Sequence, residues 1–430
     1  MGQFKQDNRL ISIDTPFPRD ELLLTAFTGS EYLSGLFEFK VTVLTANPTI
    51  DLRELVGEQI TLNIHNDQGR SFNGYVSQFS FGEVHADSLR EYHLTVVPWF
   101  WFLSQSYNHR IFQNKSIKEI ITQVFDDLGF NNYKFNIKGG NTPREYCIQH
   151  GESDLNLVSR LLEEEGITYY FSQDSDKHTM VILDKVAAFE LCPESEVAYT
   201  RGNQPDSQIS HWEHNYSFGK GSWAVNDYNF KEPAKKLLAE APTAGKFTDN
   251  SKFKHYEYPG LFDLSAGREV ADLRADAEDV YRDAVNAASD CSSFYAGGKF
   301  KLIGHENKSE NAGYLITKIH HRGFDNSYYT GSDQGSGYQN TFTCIPDSVH
   351  FRPALVHQKP IMRGPQSAMV TGPAGEEIYV DEFGRIKVQF IWDREGKHDE
   401  NSSCYLRVAQ TWAVGRAEAQ AEAEAEAEAE

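Results

Sequence analysis

A mainly β protein with helical insertions, an α+β chain, is predicted by three features of the sequence. Residues 20–103 carry period-two alternation of apolar side chains, aromatics reach 13% with 28 Phe and 21 Tyr, and the helical patterns are few and individually capped. The length of 430 residues allows about three domains and several cores. With 40% hydrophobic and 24% charged residues, disorder of the whole chain is excluded. The net charge of −21 would repel phosphate backbones and anionic headgroups, which argues against a general nucleic-acid binder. Six Glu and one Arg in residues 416–430 supply −5 of that charge. This Ala/Glu stretch is of low complexity, reads as artefactual and contributes no functional signal.

Along the chain, Phe37, Phe39, Val41 and Val43 alternate with Glu38, Lys40 and Thr42, and Leu55 to Ile64, Gly74 to Phe81 and Tyr92 to Val97 continue the series. Such short strands between Gly and Asn turns predict a barrel or sandwich. Ser116 and Glu119 form a capping box ahead of Ile117, Ile120, Ile121, Val124, Phe125 and Leu128, and Gly129 closes that helix. A second helix is expected from Ser153 to Glu165, ended by Gly166 in the left-handed region. Ile167–Phe171 and Met180–Leu183 read as a hairpin, Ser207–Phe230 as aromatic β structure, and Ser265–Ala288 as one long charged helix, with further strands to about Thr343. Pro353, Pro360 and Pro365 predict a stiff joint and a boundary near 360. Beyond it, Glu377–Val380 and Ile386–Trp392 read as strands around Asp381-Glu382-Phe383-Gly384-Arg385, with Gly384 at positive φ. The polar run Asp393–Ser403 reads as a substitution-tolerant loop.

Five widely spaced cysteines, Cys147, Cys192, Cys291, Cys344 and Cys404, predict reduced, buried thiols. The first residues lack the apolar run of a secretory signal, and the densest apolar patch, Val96–Leu103, is too short to span a bilayer. Catalytic signatures are largely missing. There is no phosphate loop, Gly335-Ser336-Gly337 is followed by Asn340 where a dinucleotide fingerprint needs its third Gly, and His305-Glu306 is followed at the second zinc-ligand position by Ser309. His305, His320 and His321 are the histidines that could converge on a metal. Glu163-Glu164-Glu165 and Asp399-Glu400 could pair as glycosidase carboxyls, but read more simply as a solvated helix end and a solvated loop. Trp99, Phe100, Trp101 and Phe102 are either a core cluster or an interface.

Seven segments in order, spread over nearly the whole chain, resemble the type VI secretion spike family, the valine-glycine repeat proteins (VgrG), related to contractile phage tail hubs and spikes. They are Gly35-Leu36-Phe37-Glu38-Phe39, Arg110-Ile111-Phe112-Gln113, Gly151-Glu152-Ser153-Asp154-Leu155 through Leu161-Leu162-Glu163-Glu164-Glu165-Gly166-Ile167, Tyr256-Glu257-Tyr258-Pro259-Gly260, Tyr314-Leu315-Ile316, Asp381 to Phe390, and Trp392-Asp393-Arg394. The resemblance implies a hub-like region of two β-barrel units over 1–360, the start of an oligonucleotide/oligosaccharide-binding (OB) type barrel over 361–415, and the tail 416–430. The barrel motif stops near Val414, so the expected β-helical needle does not follow and the last barrel reads as C-terminally truncated.

By the same resemblance the chain is a structural, non-enzymatic spike and hub that forms a homotrimer, caps the inner tube of haemolysin-coregulated protein, helps puncture target envelopes and delivers effectors. Tip protein, effectors and baseplate components are its further implied partners. Neither nucleic acid nor an integral membrane segment is implied, and no catalytic, cofactor or metal residue is carried over. The implied location is the cytoplasm during assembly, then export by the apparatus without a signal peptide. Two alternatives stand beside it: the hub of a contractile phage or prophage baseplate, and a cell-wall hydrolase.

Overall fold

The alternation in the first hundred residues is a run of strands in the computed structural model, which describes residues 4–85, 89–200, 207–245, 248–260, 262, 266–328, 335–376 and 378–409. These strands are β1 (Ile11–Asp14), β2 (Leu23–Tyr32), β3 (Glu38–Thr45), β4 (Gln59–Ile64), β5 (Arg70–Val84) and β6 (Arg90–Val97). They are followed by β7 (Tyr107–Lys115), α1 (Ile117–Asp127), β8 (Tyr133–Asn136), β9 (Arg144–Ser153), α2 (Asp154–Glu164), and the hairpin of β10 (Thr168–Gln173) and β11 (His178–Leu183). The remainder comprises β12 (Leu191–Tyr199), β13 (Gln208–Tyr216), β14 (Ser222–Val225), β15 (Ala239–Pro242), β16 (Lys254–Glu257), α3 (Gly267–Asp279), β17 (Asp283–Ser289), β18 (Lys299–Ile303), β19 (Gly313–Asp325), β20 (Ser336–Pro346), β21 (Ala368–Thr371) and β22 (Lys387–Phe390). Two units separate: Met1–Ser106, Val124–Gly140 and Leu155–Gln358 form one, and Tyr107–Gln123, Asn141–Asp154 and Lys359–Glu430 form the other.

The first unit is organised by one twelve-stranded sheet, in the order β1-β4-β5-β6-β3-β2-β19-β18-β12-β13-β17-β20. Because β19 also pairs with β20, the last six strands close on themselves as a barrel. Its interior is filled by Phe294, Phe300, Phe342 and Tyr314, with Phe300 and Phe342 ring centroids 5.6 Å apart. The other six strands curve around Phe27, Phe37, Phe39 and Phe72, all about 1% exposed. At the open side of that curve the buried Gln6 carboxamide joins β1 to β2, its oxygen accepting from the Ile13 N–H at 2.9 Å and the Leu24 N–H at 3.3 Å. Two backbone donors that lack ladder partners are thereby satisfied by one side chain.

Tight packing of these sheets relies on glycines opposite aromatic rings. Gly29 faces Phe39 across β2 and β3, and a Cβ there would fall 1.9 Å from the ring. Gly323 faces Phe27 across β19 and β2 in the same way, so each ring lies over a bare backbone.

Both capped helices form where the sequence places them. At α1 the Ser116 N–H donates to the Glu119 carboxylate at 2.8 Å and Ser116 Oγ accepts from the Glu119 N–H at 3.3 Å, a reciprocal capping box. Gly129 at φ +76° and Gly166 at φ +62° end the two helices in the left-handed region. Trp99, Phe100 and Leu103 are core residues on a 3-10 turn, with Trp99 packed edge-on to Phe125 at 5.0 Å.

The long helix expected from Ser265 to Ala288 is shorter. Ser265 lies outside the described residues, α3 ends at Asp279, and Asp283–Ser289 is the strand β17. Val285, Ala287 and Ser289 are buried at period two, and pairing with β13 and β20 inside the barrel overrides the helical preference of the alanines.

In the second unit β7 pairs with β9, and β21 with β22. Isolated bridges join Val380 to Ile386 and Ile386 to Leu406. Glu377, Val414 and residues 416–430 lie outside the described residues. Gly384 sits at φ +66° as expected, and Asp381 organises its turn by accepting from the Phe383 and Arg385 N–H groups at 3.0 and 2.9 Å and from Arg385 Nε at 2.6 Å. The run Asp393–Ser403 is less free than its polarity suggests. Asp393, Ser402 and Ser403 are buried, Ser403 Oγ accepts from the Val388 N–H at 2.9 Å, and Gln389 accepts from the His398 N–H at 2.7 Å.

No atom lies within 4 Å of a Cβ built at Gly384, so replacement there is opposed by backbone conformation alone. Gly384→Val is expected to destabilise this unit by about 1–3 kcal/mol. A thermal melt checks this, and an unchanged midpoint would mean the turn does not form as described.

Candidate functional site: a buried polar seam and an anchored exit

The seam of the first unit is the antiparallel pair β2–β19, which joins the closed barrel to the other six strands. Glu31 on β2 and His321 on β19 project inward, 4% and 0% exposed. His321 Nε2 lies 3.2 Å from the Glu31 carboxylate, and its Nδ1 lies 2.7 Å from the Tyr338 hydroxyl. Arg70 at the start of β5 approaches the same carboxylate at 3.4 Å. Beyond Tyr338 the network continues through Asn340, which bonds the Ser289 hydroxyl at 2.7 Å and the Cys291 carbonyl at 2.8 Å.

Charge in this cluster follows from its surroundings. Burial holds the His321 imidazole below its ordinary pKa, so it is neutral, with Nε2–H donating to Glu31 and Nδ1 accepting from Tyr338. Burial opposes ionisation of Glu31, but Arg70 and the His321 hydrogen bond overcome it and hold the carboxyl below the usual range. One compensated ion pair is therefore enclosed, an arrangement better suited to fixing register than to adding stability.

A second buried histidine locks the start of the aromatic turn. His178, 1% exposed, accepts the Trp99 N–H on Nε2 at 2.9 Å, and its Nδ1 faces Asn73 Oδ1 at 3.0 Å. The Trp99 N–H, at the start of a 3-10 helix, has no partner within that helix, so the imidazole serves as its cap. Burial lowers the His178 pKa to about 3. On the barrel, His214 behaves oppositely: against burial, Asp283 at 2.5 Å and Glu310 at 2.7 Å hold its pKa above the ordinary value.

The segment following β20 is irregular and laced down. Arg352 Nη1 donates to the Gly166 carbonyl at 2.8 Å. Glu163, 4% exposed, accepts from the Val356 and His357 N–H groups at 2.8 and 2.9 Å on one oxygen and from His357 Nδ1 at 2.7 Å on the other. The acidic run is therefore not the solvated helix end expected from its charge. Its first carboxylate is a three-point anchor for the irregular segment that leaves the unit at Gln358.

In the second unit, two segments of the family-like pattern meet in a buried group. Arg110 donates to Asp154 at 2.6 Å and to Gln149 at 2.8 Å, and Gln149 donates in turn to Asp154 at 2.7 Å. Trp392 packs on His150 and His109 at 5.2 and 5.6 Å, and those two imidazoles face each other with Nδ1 atoms 3.3 Å apart.

The histidines singled out for metal binding do not meet. His321 is in the seam, His320 on the outer face bonds Ser30 at 2.9 Å, and His305 belongs to the turn held by Asn311 at 2.9 Å. Glu31 and Arg70 carried no motif, and Glu163 was singled out only within its acidic run and the family-like segment around it. The available signal was parity, because Glu31 shares the inward phase of Phe27 on a strand whose other inward residues are uncharged. Exposed aromatics lie elsewhere: Tyr216, Phe218, Phe253, Tyr256 and Tyr258 are each more than half exposed, and the Phe218 and Phe253 rings meet edge-on at 5.6 Å.

The phage tail baseplate hub (GPD) family model matches residues 30–327, which run from the end of β2 through β19. The type VI secretion system spike proteins VgrG1a and VgrG1b of Pseudomonas aeruginosa are 34% and 33% identical over 95% of this chain. The chain spans 64% and 56% of their respective lengths. Among solved structures, an Escherichia coli component of the type VI secretion system, with structural similarity to T4 bacteriophage tail proteins gp27 and gp5, superposes with a TM-score of 0.66. It covers 92% of both chains at 19% identity, which establishes likeness of fold.

Two expectations follow from the buried groups. With His178 at about 3 in the fold and 6.5 when unfolded, the unfolded chain gains protons first as pH falls below 6.5. Stability should drop by about 2 kcal/mol from this residue by pH 5. His178→Gln, which keeps an acceptor for the Trp99 N–H and cannot titrate, should show a visibly smaller decline between pH 7 and 5 in thermal melts. Glu163→Ala should cost about 1–3 kcal/mol by stranding two backbone donors. Hydrogen exchange at the Val356 and His357 amides should accelerate in that variant, and unchanged exchange there would remove the anchor.

Proposed function

The chain belongs to the phage tail baseplate hub family, and from that premise we propose that it is the structural hub and spike component of a type VI secretion apparatus. The observation that carries the reading is the placement of the family match. Residues 30–327 cover β19, the end of β2 paired with it, and every strand of the closed barrel except β20, so the shared part is a β scaffold rather than a catalytic domain. The similarity to Pseudomonas aeruginosa spike proteins over 95% of the chain favours the secretion apparatus over other users of that scaffold.

In this reading three copies assemble, their paired six-stranded halves present a nearly sixfold ring to the hexameric inner tube, and exposed aromatics such as the Phe218–Phe253 pair are buried on assembly. Obligate interfaces of that kind resemble a core cut in half. Residues 361–415 begin an OB-type barrel, supported by the β21–β22 pair and the Val380–Ile386–Leu406 bridges. The barrel would carry whatever tip or effector the spike delivers, after assembly in the cytoplasm and export by the apparatus. Use as the hub of a phage or prophage baseplate is favoured by the description of the matching family itself. A hydrolase is disfavoured because Glu163, first of the acidic run, spends both oxygens on backbone and His357.

Light scattering over an about tenfold concentration range tests the assembly. A mass three times that of the chain is expected, together with capture by immobilised inner-tube hexamer. A monomer of constant mass at micromolar concentration, with no capture, would overturn the reading.

A further inference from the structure

Strand β19 hides His321 and displays the opposite parity. Lys318, His320 and Arg322 are exposed on its outer face. Alternate residues on a strand lie about 6.6–6.8 Å apart, so three cationic or protonatable groups form an evenly spaced row about 13 Å long. Pairing register places Tyr32, Ser30 and Thr28 of β2 beside them on one side, and Thr343, Thr341 and Gln339 of β20 on the other. All six neighbours are uncharged. Neither Lys318 nor Arg322 has a carboxylate partner among the described residues; instead Lys318 lies over the Tyr32 ring at 5.3 Å and Arg322 over Phe324 at 6.0 Å.

The face is concave over this row. One hollow of about 460 Å³ is lined by Lys318, His320, Ser30 and Thr341, and a second of about 490 Å³ by His320, Arg322 and Thr28. His320 lines both, so the two hollows share a wall along the strand. Unpaired cations flanked by hydroxyl donors, on a chain of net charge −21, are a local reversal of the surrounding field.

We propose that this row is a docking surface for an extended acidic segment of a partner protein, with carboxylates on alternate residues. An extended segment repeats its side chains at the same spacing as the row, so its outer carboxylates meet Lys318 and Arg322 and the middle one lies over His320, while Thr28 and Thr341 can donate to the remaining oxygens. A long polyphosphate fits less well. It would run past three residues onto a surface of opposite preference, where net charge repels it. The proposal goes beyond the scaffold role and does not depend on it.

A fluorescein-labelled peptide, Thr-Glu-Thr-Glu-Thr-Glu-Thr, titrated with the full chain and read by fluorescence anisotropy, tests it. Saturable binding at about 50 mM salt is expected, weakening at about 300 mM. The Lys318→Glu, Arg322→Glu pair, both exposed and so compatible with an unchanged circular dichroism spectrum, should lower affinity at least about tenfold. Lys318→Gln with Arg322→Gln should give an intermediate loss, separating charge from any change of fold. Three results would overturn the assignment: unchanged affinity in both double variants, equal binding of the peptide with Gln at every Glu, or equal or tighter binding of an oligothymidine of similar length.

Discussion

The pairing of β2 with β19 is the constraint on which the first unit depends. Among the described residues it is the one ladder that belongs to both halves of the twelve-stranded sheet, since β19 also closes the barrel against β18 and β20. Side-chain direction on a strand has period two, so a slip by one residue would turn every inward group outward. Here the slip would drive Lys318, His320 and Arg322 inward and expose Ile319 and His321. Hydrophobic burial alone resists that exchange, and the Glu31–His321–Tyr338 chain resists it by geometry as well, because its hydrogen bonds exist at one register only. The enclosed Arg70–Glu31 pair carries a desolvation cost, and its carboxylate is the acceptor on which the His321 hydrogen bond depends.

Glycine and aromatic residues solve the accompanying packing problem. The curved half of the sheet must bring rings from β3 and β5, separated by β6, into a small volume, and the centroids of Phe39 and Phe72 approach to 4.7 Å. Gly29 and Gly323 let the Phe39 and Phe27 rings cross directly over the neighbouring strand. The same device would be wasteful in a strand chosen for propensity alone, because glycine there loses backbone entropy and packs nothing itself. Its presence at two consecutive ladders shows that ring placement at the seam outweighs strand propensity.

Local patterns were legible in the sequence to the extent that their causes are local. The capping box at Ser116 and Glu119, the helix ends at Gly129 and Gly166, the β10–β11 hairpin and the turn at Gly384 all depend on residues within a few positions, and all form as read. The exit anchor was not legible, because Glu163 meets Val356 and His357 almost two hundred positions away and nothing in an acidic triplet distinguishes a buried carboxylate from a solvated one. Residues 283–289 failed for a related reason. Alanine-rich sequence suits a helix when alone, and only the flanking strands β13 and β20 make it a strand. Resemblance supplied what local physics could not, namely that these separate signals belong to one scaffold.

Seen from the outer face, the same register has a chemical consequence. Fixing His321 inward places Lys318, His320 and Arg322 outward in line, so the feature that makes the seam unique also determines where positive charge is displayed on an acidic chain. Such a row adds little to folding. Unpaired exposed cations gain little from solvent, and the ring contacts of Lys318 and Arg322 are worth only about 0.5–1 kcal/mol each at exposed sites. A scaffold selected for stability alone would place carboxylates on β2 and β20 opposite these bases, where cross-strand pairs are favourable. Tyr32, Ser30, Thr28, Thr343, Thr341 and Gln339 stand there instead, leaving the cations available to an external carboxylate.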